Sequence, residues 1–349
     1  MLPDPVLDRS VRLEGDAVLI LDRRVFPHEV RWVAARSDAE VADAIRQMVT
    51  QSLGPAYAAA AGLTLVARQQ AETRSSAPDA LAALRTAGAR LTAARPTNNI
   101  VRDLVDAVLA ELAALPADAD TASVVATAER AAQDEDARYR ARSRTLARYA
   151  VPLLDDGARI LTHCWMDTYL IEFVRAADAA GKHFRYVATE TRPYLQGARL
   201  TAHTLAEMEQ DVTLVTDGMV AAVLSPHSTL GAIDALVTAA DRVSMDGHVF
   251  NKVGTLGAAV AANAFGVPYY SFIHAPDRQA PTAGDVVVEE RDGGEVLSAQ
   301  GIRTASPLVE RGHYPAFDVT PPRFVTRIVT DRGAFEPARV GDYWEKQAG

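Results

Sequence analysis

The chain has a single thiol, Cys164, which closes the run Arg159-Ile-Leu-Thr-His-Cys164. At the end of a strand a thiol can serve as nucleophile or proton carrier if a nearby positive charge or helix N-terminus lowers its pKa. Cysteine is also among the most buried residue types, so its setting must decide between chemistry and packing. His163 points to the opposite face of such a strand, which argues against a dyad of neighbours and for a hydrogen-bonded core histidine. Further along, Asp241 and Asp246 precede Asn251-Lys-Val-Gly-Thr255, which leads into an Ala-rich segment. A lysine and a glycine at a helix entrance suit a phosphate. Free backbone N–H groups and the positive dipole end face the anion, and Lys252 adds a point charge. The alternative is an ordinary strand-to-helix turn with a surface lysine. Arg95-Pro-Thr97 and Glu190-Thr-Arg-Pro-Tyr-Leu-Gln196-Gly-Ala-Arg199 place further arginine and amide groups on loops able to reach a common cleft. Such proline-containing loops also occur as plain punctuation.

These residues need a scaffold, and the hydrophobic period suggests one in two parts. Val18-Leu-Ile-Leu-Asp22 and Phe26-Pro-His-Glu29 read as a short strand pair. Ser37 and Glu40 form an S-x-x-E capping signal ahead of Val41, Ile45 and Met48 at helical spacing. Helical patterns then cover Ala56 to Glu72, Asp79 to Ala93, Asn99 to Leu115 and Thr121 to Tyr149, with a solvated arginine-rich face near Arg138 to Arg148. After Pro152 the period changes. Short β-rich runs at 159–164, 184–190, 212–217, 242–245 and 269–273 alternate with helical segments, which implies a parallel sheet. The expected fold class is α/β: a mostly helical N-terminal domain over 1–150, then a Rossmann-like parallel-sheet domain over 151–349. Ligands bind beyond the carboxyl ends of strands in such sheets, where Cys164, Glu190, Asp217 and the stretch from Asp241 to Asp246 fall.

Composition narrows the classes. With 36 basic and 45 acidic residues the net charge is −9, so nucleic acid is not an expected partner. One cysteine excludes an internal disulfide framework and any multi-cysteine metal site, and it suits a reducing cytoplasm. No signal-length apolar core opens the chain, and no run approaches the roughly 20 apolar residues that span a bilayer. Neither G-x-G-x-x-G nor a Walker-type phosphate loop is present, which disfavours a Rossmann dehydrogenase.

Taken together, the segments Leu21-Asp-Arg-Arg-Val-Phe-Pro-His28, Glu40-Val-Ala-Asp-Ala-Ile-Arg46, Arg95-Pro-Thr97, Leu161-Thr-His-Cys164, Glu190-Thr-Arg-Pro-Tyr-Leu-Gln-Gly-Ala-Arg-Leu-Thr201, Thr216-Asp-Gly-Met219, Ala240-Asp-Arg242, Asn251-Lys-Val-Gly-Thr255, Val288-Glu-Glu-Arg291 and Pro315-Ala-Phe-Asp-Val-Thr-Pro-Pro322 resemble the methylthioribose-1-phosphate isomerase family. That family is grouped with the ribose-1,5-bisphosphate isomerases and the α, β and δ subunits of eukaryotic translation initiation factor 2B. The resemblance implies a cytoplasmic homodimer that converts an aldose 1-phosphate to a ketose 1-phosphate with no metal or cofactor. Its catalytic pair falls on Cys164 and Asp241, the aspartate exchanging a proton with ring or hydroxyl oxygen and the cysteine relocating the C2 hydrogen to C1. Arg95, Gln196, Asn251 and Lys252 match positions that hold phosphate and sugar hydroxyls.

Several stretches depart from the family pattern. Thr50-Gln-Ser-Leu-Gly-Pro-Ala56 stands where the family has an Arg-Gly-Ala-Pro-Ala loop, so one phosphate ligand is expected to be lost. Trp165-Met-Asp-Thr-Tyr-Leu170 replaces a small glycine-containing turn, Asp246-Gly-His248 replaces Asn-Gly-Asp, and Tyr314 replaces an asparagine. The expected substrate is therefore 5-methylthioribose 1-phosphate or a 5-modified relative such as 5-deoxyribose 1-phosphate. The alternative is a non-catalytic sugar-phosphate or nucleotide sensor like the initiation-factor subunits.

Overall fold

A computed structural model describes residues 10–96 and 99–345. Thr97, of the Arg95-Pro-Thr97 link, lies outside them. The chain divides into two compact units, one ending at Ala141 and one beginning at Arg142. Among the described residues no helix is long and apolar enough to cross a membrane.

The first unit opens with a three-stranded antiparallel sheet, β1 (Val11–Glu14), β2 (Ala17–Leu21) and β3 (Trp32–Ala35). The central strand pairs with residues on both sides of the expected hairpin, because Phe26–Glu29 form a turn that returns the chain to β3. Helices follow: α1 (Asp38–Arg46), α2 (Gly54–Glu72), α3 (Ala77–Ala93), α4 (Asn99–Ala113) and α5 (Thr121–Ala150). Ser37 caps α1 through the Glu40 N–H, and the Glu40 carboxylate reaches back to the Arg36 N–H. Val41, Ile45, Leu63, Leu84, Leu91, Leu104 and Val108 are buried, as their helical spacing requires. The division between units falls inside α5. The arginine stretch there is only partly a solvated face: Arg142 pairs with Asp331 at 2.5 Å and donates to the Tyr343 hydroxyl at 3.0 Å.

The second unit is built on β4 (Arg159–Thr162), α6 (Thr168–Ala179), β5 (Arg185–Thr189), a π-helical turn over Gly197–Thr201, α7 (Ala202–Glu207), β6 (Asp211–Val215), α8 (Val220–Leu224) and β7 (Ala235–Ala239). It continues through β8 (Arg242–Val243), β9 (Val249–Lys252), α9 (Thr255–Ala264), β10 (Tyr269–Phe272), β11 (Glu290–Arg291), β12 (Ser298–Ala299), β13 (Ile302–Arg303), β14 (Tyr314–Pro315), β15 (Phe317–Thr320), β16 (Arg327–Thr330) and β17 (Gly333–Phe335). Seven strands form one sheet in the order β17-β16-β10-β7-β4-β5-β6, all pairs parallel except β17 on β16. Read from β6 to β16, this is the 3-2-1-4-5-6 order of the Rossmann fold.

One strand is displaced from its expected place. The fourth strand of the sheet is Ala235–Ala239, and Arg242–Val243 belongs to a separate antiparallel ladder of β15, β9 and β8. The Ala-Leu-Val-Thr-Ala run is buried at every position, as befits a central parallel strand covered on both faces, so it carries no alternation to betray it.

Candidate active site

In a sheet of this order the chain leaves β4 in one direction and β7 in the other, and the crevice between their carboxyl ends is where ligands bind. Cys164 follows β4 by two residues and Asp241 follows β7 by two. The topology thus brings together two residues 77 positions apart, taken as 241 minus 164. The half-buried thiol is pushed up to about 12, chiefly by burial, with Asp241 and Asp217 adding to the rise. Lys252 and the Trp165 N–H pull the other way without overcoming burial. The lowered pKa expected of a reactive thiolate is therefore not found, because loss of hydration outweighs one lysine. Alkylation of this lone thiol is expected to be slow at neutral pH and to keep rising through the ordinary value of 9.0 without a plateau, which iodoacetamide kinetics against pH would show.

Cys164 has a φ of 69°, in the left-handed region, and both of its peptide groups are held. Its N–H donates to Thr191 Oγ1 at 2.9 Å, and its carbonyl accepts from the Thr201 hydroxyl. Both threonines come from the Glu190-to-Thr201 block. Asp217, at the end of β6, fixes the start of that block: its two carboxylate oxygens accept the N–H groups of Thr191 at 2.8 Å and Arg192 at 2.6 Å. Gln196 is 1% exposed and its Oε1 has no hydrogen-bond partner, an orphaned acceptor that a sugar hydroxyl can satisfy. The next residue must be glycine. A Cβ at Gly197 would lie 1.7 Å from the Thr189 carbonyl oxygen and 2.8 Å from Thr191 Oγ1. Gly197→Ala is expected to cost about 2 kcal/mol or more, seen as a lower thermal midpoint, since backbone must move to admit the methyl group.

Asn251 and Lys252 are buried on β9. The Asn251 amide donates to Thr255 Oγ1 at 2.9 Å. The Lys252 ammonium donates to the Ala316 carbonyl at 2.8 Å and stands 4.6 Å from the Phe317 ring centre and 5.7 Å from that of Tyr314, the residue that replaces an asparagine of the family pattern. The helix entrance beside it differs from expectation. The N–H groups of Gly254 and Leu256 donate to Asp318 Oδ2 at 2.7 and 3.0 Å, so a carboxylate of the chain itself already sits at the N-terminus of α9. Burial raises that carboxyl to about 6 in spite of these bonds. Lys252 and Asn251 are left as the phosphate- or hydroxyl-facing candidates of this turn, without the helix N–H groups.

Arg95 belongs to the first unit, where it is buried after α3 with Nη1 3.0 Å from Met48 Sδ. In the same unit the altered 50–56 loop is tied by Arg23, whose buried guanidinium donates to the Gln51 carbonyl at 2.8 Å. A Cβ at Gly54 would stand 3.4 Å from that guanidinium carbon. The bulky turn after the thiol closes on itself: the buried Trp165 indole donates to Asp167 Oδ2 at 3.2 Å. Asp246 and His248, the other changed pair, bond locally, the carboxylate accepting from Ser244 and lying 3.0 Å from His248 Nδ1. Among the described residues no group of three His, Cys, Asp or Glu side chains is placed to hold a metal ion. Asp217 was placed by the sequence at a strand's carboxyl end without a role, and Thr191, Thr201 and Asp318 were not singled out by type. The blocks that contain them carried the only signal.

A Rossmann-ordered sheet with a thiol and a carboxylate at its switch point, in a chain that opens with a helical unit, defines the class: residues 51–337 match the initiation factor 2 subunit family, and the chain belongs to it. Within that family it is similar to a protein of Syntrophotalea carbinolica named methylthioribose-1-phosphate isomerase, 36% identical over 96% of this chain and 97% of the relative. The crystal structure of 5-methylthioribose 1-phosphate isomerase from Pyrococcus horikoshii OT3 superposes with a TM-score of 0.81 at 27% identity, covering 99% of this chain and 98% of that one. The translation initiation factor eIF-2B subunit delta from A. fulgidus gives 0.76 at 30% identity over 95% of this chain and 96% of its own.

Proposed function

We propose that this protein is an aldose–ketose isomerase acting on 5-methylthioribose 1-phosphate or a 5-modified relative such as 5-deoxyribose 1-phosphate. The observation that carries the reading is that Cys164 and Asp241 each follow by two residues the adjacent strands β4 and β7 at the switch point of the sheet, with Lys252, on β9, near enough to act on the thiol's charge. A phosphate on O1 blocks the usual opening of the hemiacetal, so the ring oxygen must receive a proton as its bond to C1 breaks, and the 2-hydroxyl must lose one as the ketone forms. A thiol kept protonated by burial suits the first task, and the Asp241 carboxylate suits the second. This exchanges part of the roles expected from the resemblance, in which the thiol handled the carbon-bound hydrogen. Relocation of that hydrogen from C2 to C1 completes the product and leaves atoms and charge in balance once Asp241 returns its proton to the thiol. Lys252, Asn251, Gln196 and Arg95 are proposed to hold phosphate and hydroxyls, in a cytoplasmic homodimer as the family resemblance implies.

A sensor of sugar phosphates is the second reading, favoured by the 30% identity to an initiation-factor subunit and by the arginine missing from the 50–56 loop. A panel of ribose 1-phosphates bearing methylthio, hydrogen, hydroxyl or phosphate at C5 separates the two. Ketose formation with a preference for the apolar substituents supports the isomerase, whereas saturable binding with no ketose from any member overturns it.

A further inference from the structure

The residue set aside as a core histidine lies at the junction of the two halves of the site. His163 is 2% exposed, and both ring nitrogens are engaged: Nε2 lies 3.0 Å from the Val253 carbonyl oxygen and Nδ1 lies 2.6 Å from Thr189 Oγ1. A carbonyl only accepts, so the hydrogen is on Nε2 and Nδ1 accepts from Thr189. Thr189 Oγ1 stands 3.4 Å from Thr191 Oγ1, which already accepts the Cys164 N–H at 2.9 Å. With the Thr189 hydrogen committed to the ring, the Thr191 hydroxyl donates to Thr189. The result is one directed chain from the Cys164 amide through Thr191, Thr189 and His163 to the carbonyl of Val253, the neighbour of Lys252. Burial holds the ring neutral against Asp217, whose carboxylate lies 3.9 Å from Nδ1, and Lys252 opposes its charging as well.

Two features show that the chain is built tightly. The residues joined by its first bond, Cys164 and Thr191, both have positive φ, 69° and 62°, a conformation that persists only where surrounding contacts enforce it. Both ends are walled by glycine: a Cβ at Gly254 would be 2.8 Å from His163 Cε1 and Nε2, and one at Gly197 would be 2.8 Å from Thr191 Oγ1.

We propose that His163, acting through Thr189 and Thr191, is a positioning residue that locks the Cys164 turn to the Lys252–Gly254 turn, setting the distance between the thiol and the group that holds the phosphorylated substrate. The kinetic part of this inference rests on the isomerase reading, and the thiol part does not. The test uses the full chain with Thr191→Val, Thr191→Ser, His163→Leu and His163→Gln, each checked for fold by circular dichroism. Thr191→Val and His163→Leu are expected to lower kcat about 10²-fold while KM moves less than about threefold. Both are also expected to change the rate of Cys164 alkylation by iodoacetamide. Serine at 191 and glutamine at 163, which keep the donor and acceptor pattern, restore most of both. Folded Thr191→Val protein with wild-type alkylation and wild-type kcat overturns the proposal, even if His163→Leu fails to fold. Should the wild-type chain turn over no sugar phosphate, altered alkylation in Thr191→Val still upholds the lock, and unaltered alkylation refutes it.

Discussion

Cys164→Ser is expected to lower kcat by about three orders of magnitude while the protein keeps its fold. Serine is close in size to cysteine, and the turn is held by the backbone groups of residue 164, through Thr191 and Thr201, which the substitution leaves in place. What changes is the acid. A thiol pushed up to about 12 by burial is still a far better proton donor than an alcohol in the same cavity. Steady-state kinetics on a 5-substituted ribose 1-phosphate, with thermal unfolding as the control, measures the loss. A variant that retains more than about a tenth of the wild-type rate contradicts the role given to the sulfur.

The second large effect is expected of Asp241→Asn, with kcat falling about 10²- to 10⁴-fold. Asparagine preserves the outline of the side chain and the backbone bond from residue 241 to the Phe250 carbonyl at 2.9 Å, so the crevice keeps its shape. This variant carries an internal check through the thiol. Asp241 raises the Cys164 pKa by disfavouring a second negative charge nearby, so its neutralisation moves the thiol down. At a fixed alkaline pH below about 12, Asp241→Asn therefore alkylates faster than wild type while turning over more slowly. Slower turnover with unchanged alkylation would mean that the carboxylate and the thiol do not share the crevice as described.

The helices of the first unit were readable because each carries its own signal. The capping serine at 37, with Glu40, and the helical spacing of Val41, Ile45 and Met48 are local features. The sheet was readable as parallel, but its strand order was not, since order is set by which buried runs lie side by side. Ala235–Ala239 shows why: a strand covered on both faces loses the alternation that identifies strands, and the visible β-rich run at 242–243 sits in the neighbouring ladder. Cys164 and Asp241 could be named as candidates from the blocks around them, and the fold places both just past the carboxyl ends of adjacent strands. The thiol's environment was opaque, because desolvation depends on every neighbour in space. So was the seat at α9, where the rule that a helix entrance attracts an anion holds, but Asp318 arrives from β15 to fill it.

Following the carbon that changes oxidation state is the most direct test. Ribose 1-phosphate bearing a 5-methylthio group and labelled with carbon-13 at C2 is mixed with the wild-type protein and observed by NMR. The labelled secondary alcohol is expected to become a ketone, at a rate that collapses in Cys164→Ser and Asp241→Asn. A label that stays an alcohol with the folded wild-type chain, while the sugar phosphate is bound, would contradict the account.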